Sequence, residues 1–384
     1  MGRSFQIPAN LRLIAVVLGL LRVLHAQETA LVQPGLPPGL DFPEFSRWEK
    51  VFTLQSGLGF KDNTALAPAN PSGSGFFRNY AEFTLWRLPV DDWEFMTIAS
   101  WDDLRYWNSP VTDKELMGFA LAQGKRKLSG GWLVSATAQY IYQNQVMDVS
   151  ADLATPAVLD VQGNTYTARI GLRRDFSSRI WFELEPGLTR QDFAGPLDDY
   201  WEGGTKLVLG RTYGKKSELA FTYEFNQRAY DSREQADNAG FTVPGSSLKF
   251  LQHKTQLVWR HDWDEHRRWR TTARAGYDIS SDNGSSYFDY RKLYVSGQIR
   301  YRDDRWEVRV TGRISDFIYP HQTVGAIDLR QRHRTDVTAN LRVERTLNKY
   351  LKIYAEYEFE QSLANQIATA YTVNQVHSGV IVEY

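Results

Sequence analysis

The 384-residue chain has no cysteine. That absence excludes a disulfide-stapled fold, a thiolate metal centre and a cysteine nucleophile, and it leaves no thiol for a lipid anchor. Long apolar runs are missing as well. The most hydrophobic stretch, Leu13 to Leu21, falls short of the roughly 20 residues a membrane-crossing helix needs. With a mean hydropathy of -0.45, a helical membrane protein is excluded. Net charge is also lacking: 45 Lys and Arg balance 45 Asp and Glu, so no nucleic-acid partner is expected.

Catalytic signatures are equally scarce. No Gly-x-Ser-x-Gly motif and no glycine-rich phosphate loop between a strand and a helix occurs. The seven histidines (His25, His253, His261, His266, His321, His333 and His377) are dispersed. His253 and His261 share a parity, yet eight residues of extended chain separate them too far for one ion. Asp336, Glu344, Glu356 and Glu358 have Arg313, Arg342 and Lys352 for company, so charge pairing explains them more simply than acid–base chemistry. No enzyme, cofactor or metal site is expected.

What the chain does have is order. Arg3 and Arg12 precede the short apolar run, and Leu24-His25-Ala26 follows it; this reads as a secretory signal peptide over 1–26. Residues 27–47, with Pro34-Gly35-Leu36-Pro37-Pro38-Gly39, read as a flexible periplasmic leader. From 48 to 384 the texture changes to segments of alternating apolar and polar residues. Leu351, Ile353, Ala355, Tyr357 and Phe359 alternate with Lys352, Tyr354, Glu356, Glu358 and Glu360; Trp306, Val308, Val310, Gly312 and Ile314 alternate with Glu307, Arg309, Thr311 and Arg313. At a helical period those charges would encircle the axis and leave no stripe to bury. At period two they divide a lipid face from a polar lumen.

The alternation predicts strands near 48–60, 77–88, 92–107, 114–127, 131–146, 164–175, 179–193, 199–212, 217–230, 248–261, 267–281, 287–302, 305–318, 327–346, 350–363 and 369–384. The expected fold is therefore all-β, a transmembrane antiparallel up-and-down β-barrel of about 16 strands. Short turns at Pro89-Val90-Asp91, Ser129-Gly130, Ser177-Ser178, Gly214-Lys215, Asp264-Glu265, Asp303-Asp304 and Asn348-Lys349 alternate with longer loops at 61–76, 147–163, 231–247 and 319–326. Both termini then face the periplasm of a Gram-negative-type envelope, with outer-membrane lipids around the barrel. Trp48, Trp93, Trp132, Trp269 and Trp306 each open an upward strand on the lipid-facing parity, where an aromatic girdle belongs. A soluble β-sandwich would need polar residues at the positions where Leu, Val and Phe recur.

The same parity lists the lumen wall. A basic set comprises Lys254, Arg260, Arg270, Arg274, Lys292, Arg300, Arg302, Arg309, Arg313 and Arg342. Facing or flanking it is an acidic set of Glu82, Glu94, Asp102, Glu183, Glu185, Glu218, Glu224, Glu356, Glu358 and Glu360. Opposed rows of charge would set a transverse field across a pore; alternatively, Arg and Glu interlock as salt bridges that stiffen the barrel. Inward Tyr80, Trp86, Trp181, Tyr294 and Tyr354 suit stacking on sugar rings or simple bulk with a polar tip. Loops 147–163 and 231–247 are, by length, the expected constrictions.

Two motifs carry a resemblance. Ser378-Gly379-Val380-Ile381-Val382-Glu383-Tyr384 ends on an aromatic with alternate apolar residues, and it resembles the terminal strand signal of outer-membrane β-barrels. The resemblance implies that Gly379, Val382 and Tyr384 are read by the barrel-assembly machinery. Leu58-Gly59-Phe60-Lys61-Asp62-Asn63-Thr64 resembles a glycine-aromatic-Asp-Asn motif that opens porin-like barrels, including some encoded with exopolysaccharide systems. Lys61 stands where a second acidic residue is common, and Asp62-Asn63 also suits the start of an outer turn. The expected function is an outer-membrane pore for small polar or charged solutes. The alternatives are an export barrel for an anionic exopolysaccharide, working with periplasmic partners, and a plugged structural barrel.

Overall fold

The computed structural model describes residues 47–109, 111–149, 158–195, 197–214, 216–325 and 327–384. The signal peptide and residues 27–46 of the leader lie outside the described residues. Period-two alternation becomes sixteen strands. They are β1 (Trp48–Lys61), β2 (Ser74–Val90), β3 (Trp93–Tyr106), β4 (Lys114–Leu128), β5 (Trp132–Asp148), β6 (Val158–Asp175), β7 (Ile180–Phe193) and β8 (Tyr200–Tyr213). The second half adds β9 (Ser217–Tyr230), β10 (Lys249–Asp262), β11 (Trp269–Asp282), β12 (Tyr290–Arg302), β13 (Trp306–Thr323), β14 (Gln331–Thr346), β15 (Leu351–Ala364) and β16 (Tyr371–Glu383). Every strand pairs antiparallel with its sequence neighbours, and β16 returns to β1 to close the barrel.

Several boundaries depart from the sequence reading, β14 among them, which begins at Gln331 and not at 327. β6 begins at Val158, before Asp160 and Gly163 interrupt the alternation. β2 starts at Ser74 and runs through Pro89, with a register shift between Arg87 and Val90, so that Asp91 and Asp92 turn the chain at φ 56° and 65°. β13 continues past Pro320 to Thr323, because a shift between Tyr319 and Thr323 accommodates a residue with no amide to donate. Connections at the two ends differ as predicted, although the 263–268 turn is as long as the outer loop at 194–199. The turn carboxylate of Asp303 accepts Tyr301 Oη at 2.6 Å and the amides of Trp306 and Arg305, which hold it below the usual carboxylate range.

The outer surface is apolar. Leu293 and Val295 of β12 are 57% and 56% exposed, and Ile299, Val310, Ile314, Leu209 and Phe221 belong to the same outward set. A soluble protein rarely leaves so continuous an apolar band to water. Strands of 13–18 residues exceed the roughly 9–11 needed to cross a bilayer at a tilt. Trp48, Trp93, Trp132, Trp269 and Trp306 point outward at one end of the barrel. Arg126, Arg174 and Arg345 lie 5.0, 4.9 and 5.2 Å from the rings of Trp93, Trp132 and Trp306. Trp259, His261 and Tyr213 extend the belt as a stack.

Closure depends on β1 and β16. Phe52 and Tyr384 exchange two backbone bonds of 2.8 Å, and Gly57 stands opposite Gly379. A Cβ on Gly379 would lie 2.0 Å from the Ser56 carbonyl, and one on Gly57 2.4 Å from Tyr354 Oη. The Tyr354 hydroxyl therefore occupies space that Gly57 leaves, and the β1 backbone the space that Gly379 leaves. Val382 and Tyr384 face outward, and Tyr384 stacks on Tyr350 at 6.1 Å.

We expect Gly379→Val to remove the fast-migrating folded species from an unheated SDS gel, with an overpacking cost of about 1–3 kcal/mol. Gly297→Val on the outer face of β12, where a Cβ meets nothing within 4 Å, should keep it. Equal migration of the two variants would contradict the seam's tight fit.

Candidate functional site

Alternation places every member of the predicted basic and acidic sets on the lumen side of its strand, in register with its neighbours. What they do there is more local than two opposed rows. Arg260 bonds Glu218 at 2.6 Å, Arg270 bonds Asp262 at 2.6 Å, and Arg309 bonds Glu307 at 2.7 Å. Arg302 lies 3.7 Å from Glu307, and Arg342 clamps Glu344 and Glu356 at 2.7 Å each. The acidic set is similarly engaged. Asp102 holds Arg78, Glu185 holds Lys206 and Glu94 holds Lys125 at 2.7, 2.6 and 3.5 Å. Glu82 and Glu360 accept the Tyr80 and Tyr371 hydroxyls at 2.5 and 2.6 Å, and Glu224 accepts Asn226. Only Glu183 makes no side-chain bond among the described residues.

Five predicted cations differ. Lys254, Arg274, Lys292, Arg300 and Arg313 have no carboxylate oxygen within 4.0 Å among the described residues, although Asp278 sits at the register position between Lys254 and Lys292. Tyr294 lies beneath two of them, its ring 4.7 Å from Arg313 and 5.6 Å from Lys292. Three of the inward aromatics are not free platforms, whereas Trp86 is 37% exposed. Tyr294 covers Gly276, Trp181 covers Gly210, and Tyr354 covers the glycines at the seam, so bulk describes them better than sugar stacking.

The outer mouth holds the least foreseeable contact. Arg334 of β14 reaches Asp148 at the end of β5 at 2.7 Å, and their side chains are 9% and 3% exposed. These strands lie seven places apart on the sixteen-strand ring, so the ion pair crosses the lumen. Beside it, Leu66 of the first outer loop packs with Val146, Tyr371 and Val373. Below lies a chamber of about 630 Å³ bordered by Lys61, Arg78, Asp102, Glu115 and Glu358. Asp148 is the last residue of β5, and residues 150–157 of the 147–163 segment fall outside the described residues. Loop 231–247 instead folds onto its own strands through Ala236, Leu248, Phe250 and Phe288.

The first-strand motif shapes this mouth. Asp62 accepts the Asn374 backbone amide at 2.8 Å and its side-chain amide at 2.7 Å. Asn63 donates to the carbonyls of Ala67 and Thr372, and Lys61 bonds Glu115 at 2.9 Å. The motif therefore ties the first loop to the last strand and turns it inward, which exceeds starting a turn. Arg78 and Arg334 escaped the sequence reading, and Lys61 entered it only within the first-strand motif, although the same parity assigns all three inward. Among the described residues, Glu356, Glu358 and His377 form the one group with metal-ligating atoms close together. Arg78 Nη1 lies 3.0 Å from His377 Nε2, so a guanidinium already supplies the cation there.

A closed barrel with an apolar girdled exterior and a charged interior leaves one architecture. The chain is a closed sixteen-strand antiparallel β-barrel. No protein-family model matches it, and no curated protein matches it. Among solved structures it is similar to OccAB1 of Acinetobacter baumannii, at 7% identity and a TM-score of 0.47 over 88% of this chain and 97% of that one. It is also similar to OccK5 (OpdH) of Pseudomonas aeruginosa, at 8% and 0.47 over 87% and 98%. A bacterial polysaccharide outer membrane secretin matches at 9% and 0.44 over 87% and 98%. Likeness this distant says nothing about what passes through the barrel.

Removing the lumen-crossing cation should be costly. Arg334→Met deprives buried Asp148 of its guanidinium and is expected to destabilise by about 3–5 kcal/mol in urea unfolding from vesicles. Asp148→Leu should be milder, because Asp336 remains 2.6 Å from Arg334. Two neutral substitutions would show that the bridge carries no stability.

Proposed function

We propose that the barrel is a diffusion pore for small polar or charged solutes, with no chemistry of its own, in the outer membrane of a Gram-negative-type bacterium. The observation that carries this reading is the run of five lumen cations without carboxylate partners on β10–β13. Elsewhere most lumen charges neutralise each other locally, which stiffens the wall and leaves less net field. Along β12 the inward face offers Lys292, Tyr294, Ser296, Gln298, Arg300 and Arg302 and no carboxylate, so a positive potential persists there. Cations facing water without an ion pair favour anions.

Lipids of the outer membrane solvate the girdled exterior. The barrel-assembly machinery is the expected folding partner, reading Gly379, Val382 and Tyr384. Export of an anionic exopolysaccharide is the second reading, since the same cations would guide a polyanion. The lumen-crossing bridge between Arg334 and Asp148 favours small solutes over a polymer, because a polymer needs a continuous opening.

Refolded protein in a planar bilayer should give stable current steps with anion preference. Replacing Arg274, Arg300 and Arg313 together by Gln should lower the anion-to-cation permeability ratio by about threefold. An unchanged ratio would remove the basic face from the explanation. Silence from folded barrels would overturn the pore and bring the plugged or partner-gated barrel forward.

A further inference from the structure

The outward tryptophans are paired, strand by strand, with cations. Register sets Trp48 of β1 opposite Arg87 of β2, Trp93 of β3 opposite Arg126 of β4, Trp132 of β5 opposite Arg174 of β6, and Trp306 of β13 opposite Arg345 of β14. Residues directly opposite in an antiparallel pair share a face of the sheet, so an outward indole brings an outward guanidinium beside it. All four pairs stand at the same end of the barrel, where odd-numbered strands begin and even-numbered strands finish.

In three of the pairs the guanidinium lies over the indole. Arg126, Arg174 and Arg345 are 5.0, 4.9 and 5.2 Å from the ring centroids of Trp93, Trp132 and Trp306. An aromatic ring attracts the flat face of the cation and leaves its in-plane N–H donors unused. Among the described residues, none of the three arginines makes a side-chain hydrogen bond or has a carboxylate oxygen within 4.0 Å. Each is therefore held in place by a partner that does not consume its donors.

The charge imbalance extends round the rim. Outward strand positions at this end carry Lys50, Arg87, Arg126, Arg174, Arg211 and Arg345 and, among the described residues, no carboxylate. At the opposite end the outward basic groups are matched: Arg105 bonds Asp103 at 2.6 Å on β3, and His333 of β14 meets Asp316 of β13 at 2.8 Å. Tryptophan marks the depth at which headgroups meet acyl chains. Cations with free donors at that depth fit a phosphodiester, whose two free oxygens match two N–H groups of one guanidinium.

We infer that the paired tryptophans and arginines form a binding belt for anionic glycerophospholipids. Arg126, Arg174 and Arg345 hold the headgroup phosphodiester, and the indoles lie against the glycerol and the first carbons of the acyl chains. The missing carboxylates decide between headgroups. A zwitterionic lipid brings an ammonium that finds no outward partner at this level, whereas phosphatidylglycerol brings the phosphodiester charge alone. Arg87, Arg126 and Arg174 stand on alternate strands, about 10 Å apart across the sheet, which leaves room for one two-chain lipid at each. The inference rests on the membrane reading given above and names the lipid.

The test refolds the full barrel into phosphatidylcholine vesicles containing a fixed fraction of brominated phosphatidylglycerol, phosphatidylethanolamine or phosphatidylcholine, and reads the quenching of tryptophan fluorescence. Brominated phosphatidylglycerol should associate about threefold more strongly than brominated phosphatidylcholine, and phosphatidylethanolamine should stay at the phosphatidylcholine level. High salt should shrink the preference. Arg126→Gln, Arg174→Gln and Arg345→Gln together should bring phosphatidylglycerol to the phosphatidylcholine level. An unheated gel establishes that the variant is folded, and the wild-type comparison of lipids needs no variant. Equal quenching by all three lipids overturns the anionic belt and leaves a membrane barrel standing. Phosphatidylethanolamine matching phosphatidylglycerol overturns the selection against an ammonium, and a preference that survives the triple variant overturns the assignment to these arginines. Folded barrels that no brominated lipid quenches overturn the membrane reading itself.

Discussion

Everything in this protein follows from closure of the sheet, which leaves no strand edge unpaired. In the lipid setting proposed for it, an open edge would carry unsatisfied groups that cost several kcal/mol each. Closure falls to the first and last strands, which the chain brings together only when all others are in place. The seam is built for close approach: Gly57 faces Gly379, the Tyr354 hydroxyl sits against Gly57, and Phe52 and Tyr384 lock the lower end. Asp62 and Asn63 fasten the upper end to Asn374 and Thr372. One junction thus joins the opening motif, the terminal motif and the entry of the first loop into the mouth.

Once the barrel is closed, the lumen inherits a dense population of charges whose arrangement decides its character. Most are neutralised within one or two strands, as in the Arg342 clamp on Glu344 and Glu356 or the Arg78 cluster with Asp102, His377 and Glu358. Such pairs hold side chains against the wall and keep them out of the passage. The region around β12 breaks the pattern by supplying cations without matching carboxylates, and the region around β4 breaks it by supplying apolar side chains instead of charges. Asymmetry of this kind gives the proposed pore a direction across its section as well as along its axis.

Much of this was legible because a strand between lipid and water writes its environment into every second residue. Ile353, Tyr357 and Leu363 outside, with Tyr354 and Ser362 inside, are visible in one line of sequence. Tryptophan at the foot of upward strands marks the interface for the same reason. The reading faltered where local rules conflict with the sheet. Pro320 suggests a stop, yet a register shift lets β13 pass it; Asp160 and Gly163 blur the alternation, so the start of β6 was placed too late. Lumen cations were recognised as inward, but their partners were not, because Arg270 finds Asp262 through hairpin geometry and Arg342 finds Glu356 across a register.

The sequence by itself determined the sheet in outline: its period, a count of about 16 strands, the side most residues face and where most turns lie. These properties are local, set by alternation and turn chemistry within about a dozen residues. Tertiary structure alone decided which charges cancel and where the passage narrows. Arg334 and Asp148 are 186 residues apart and meet only because the ring brings β14 round to face β5. Leu66 meets Tyr371 for the same reason. Contacts across a lumen depend on curvature and closure, which no single strand encodes.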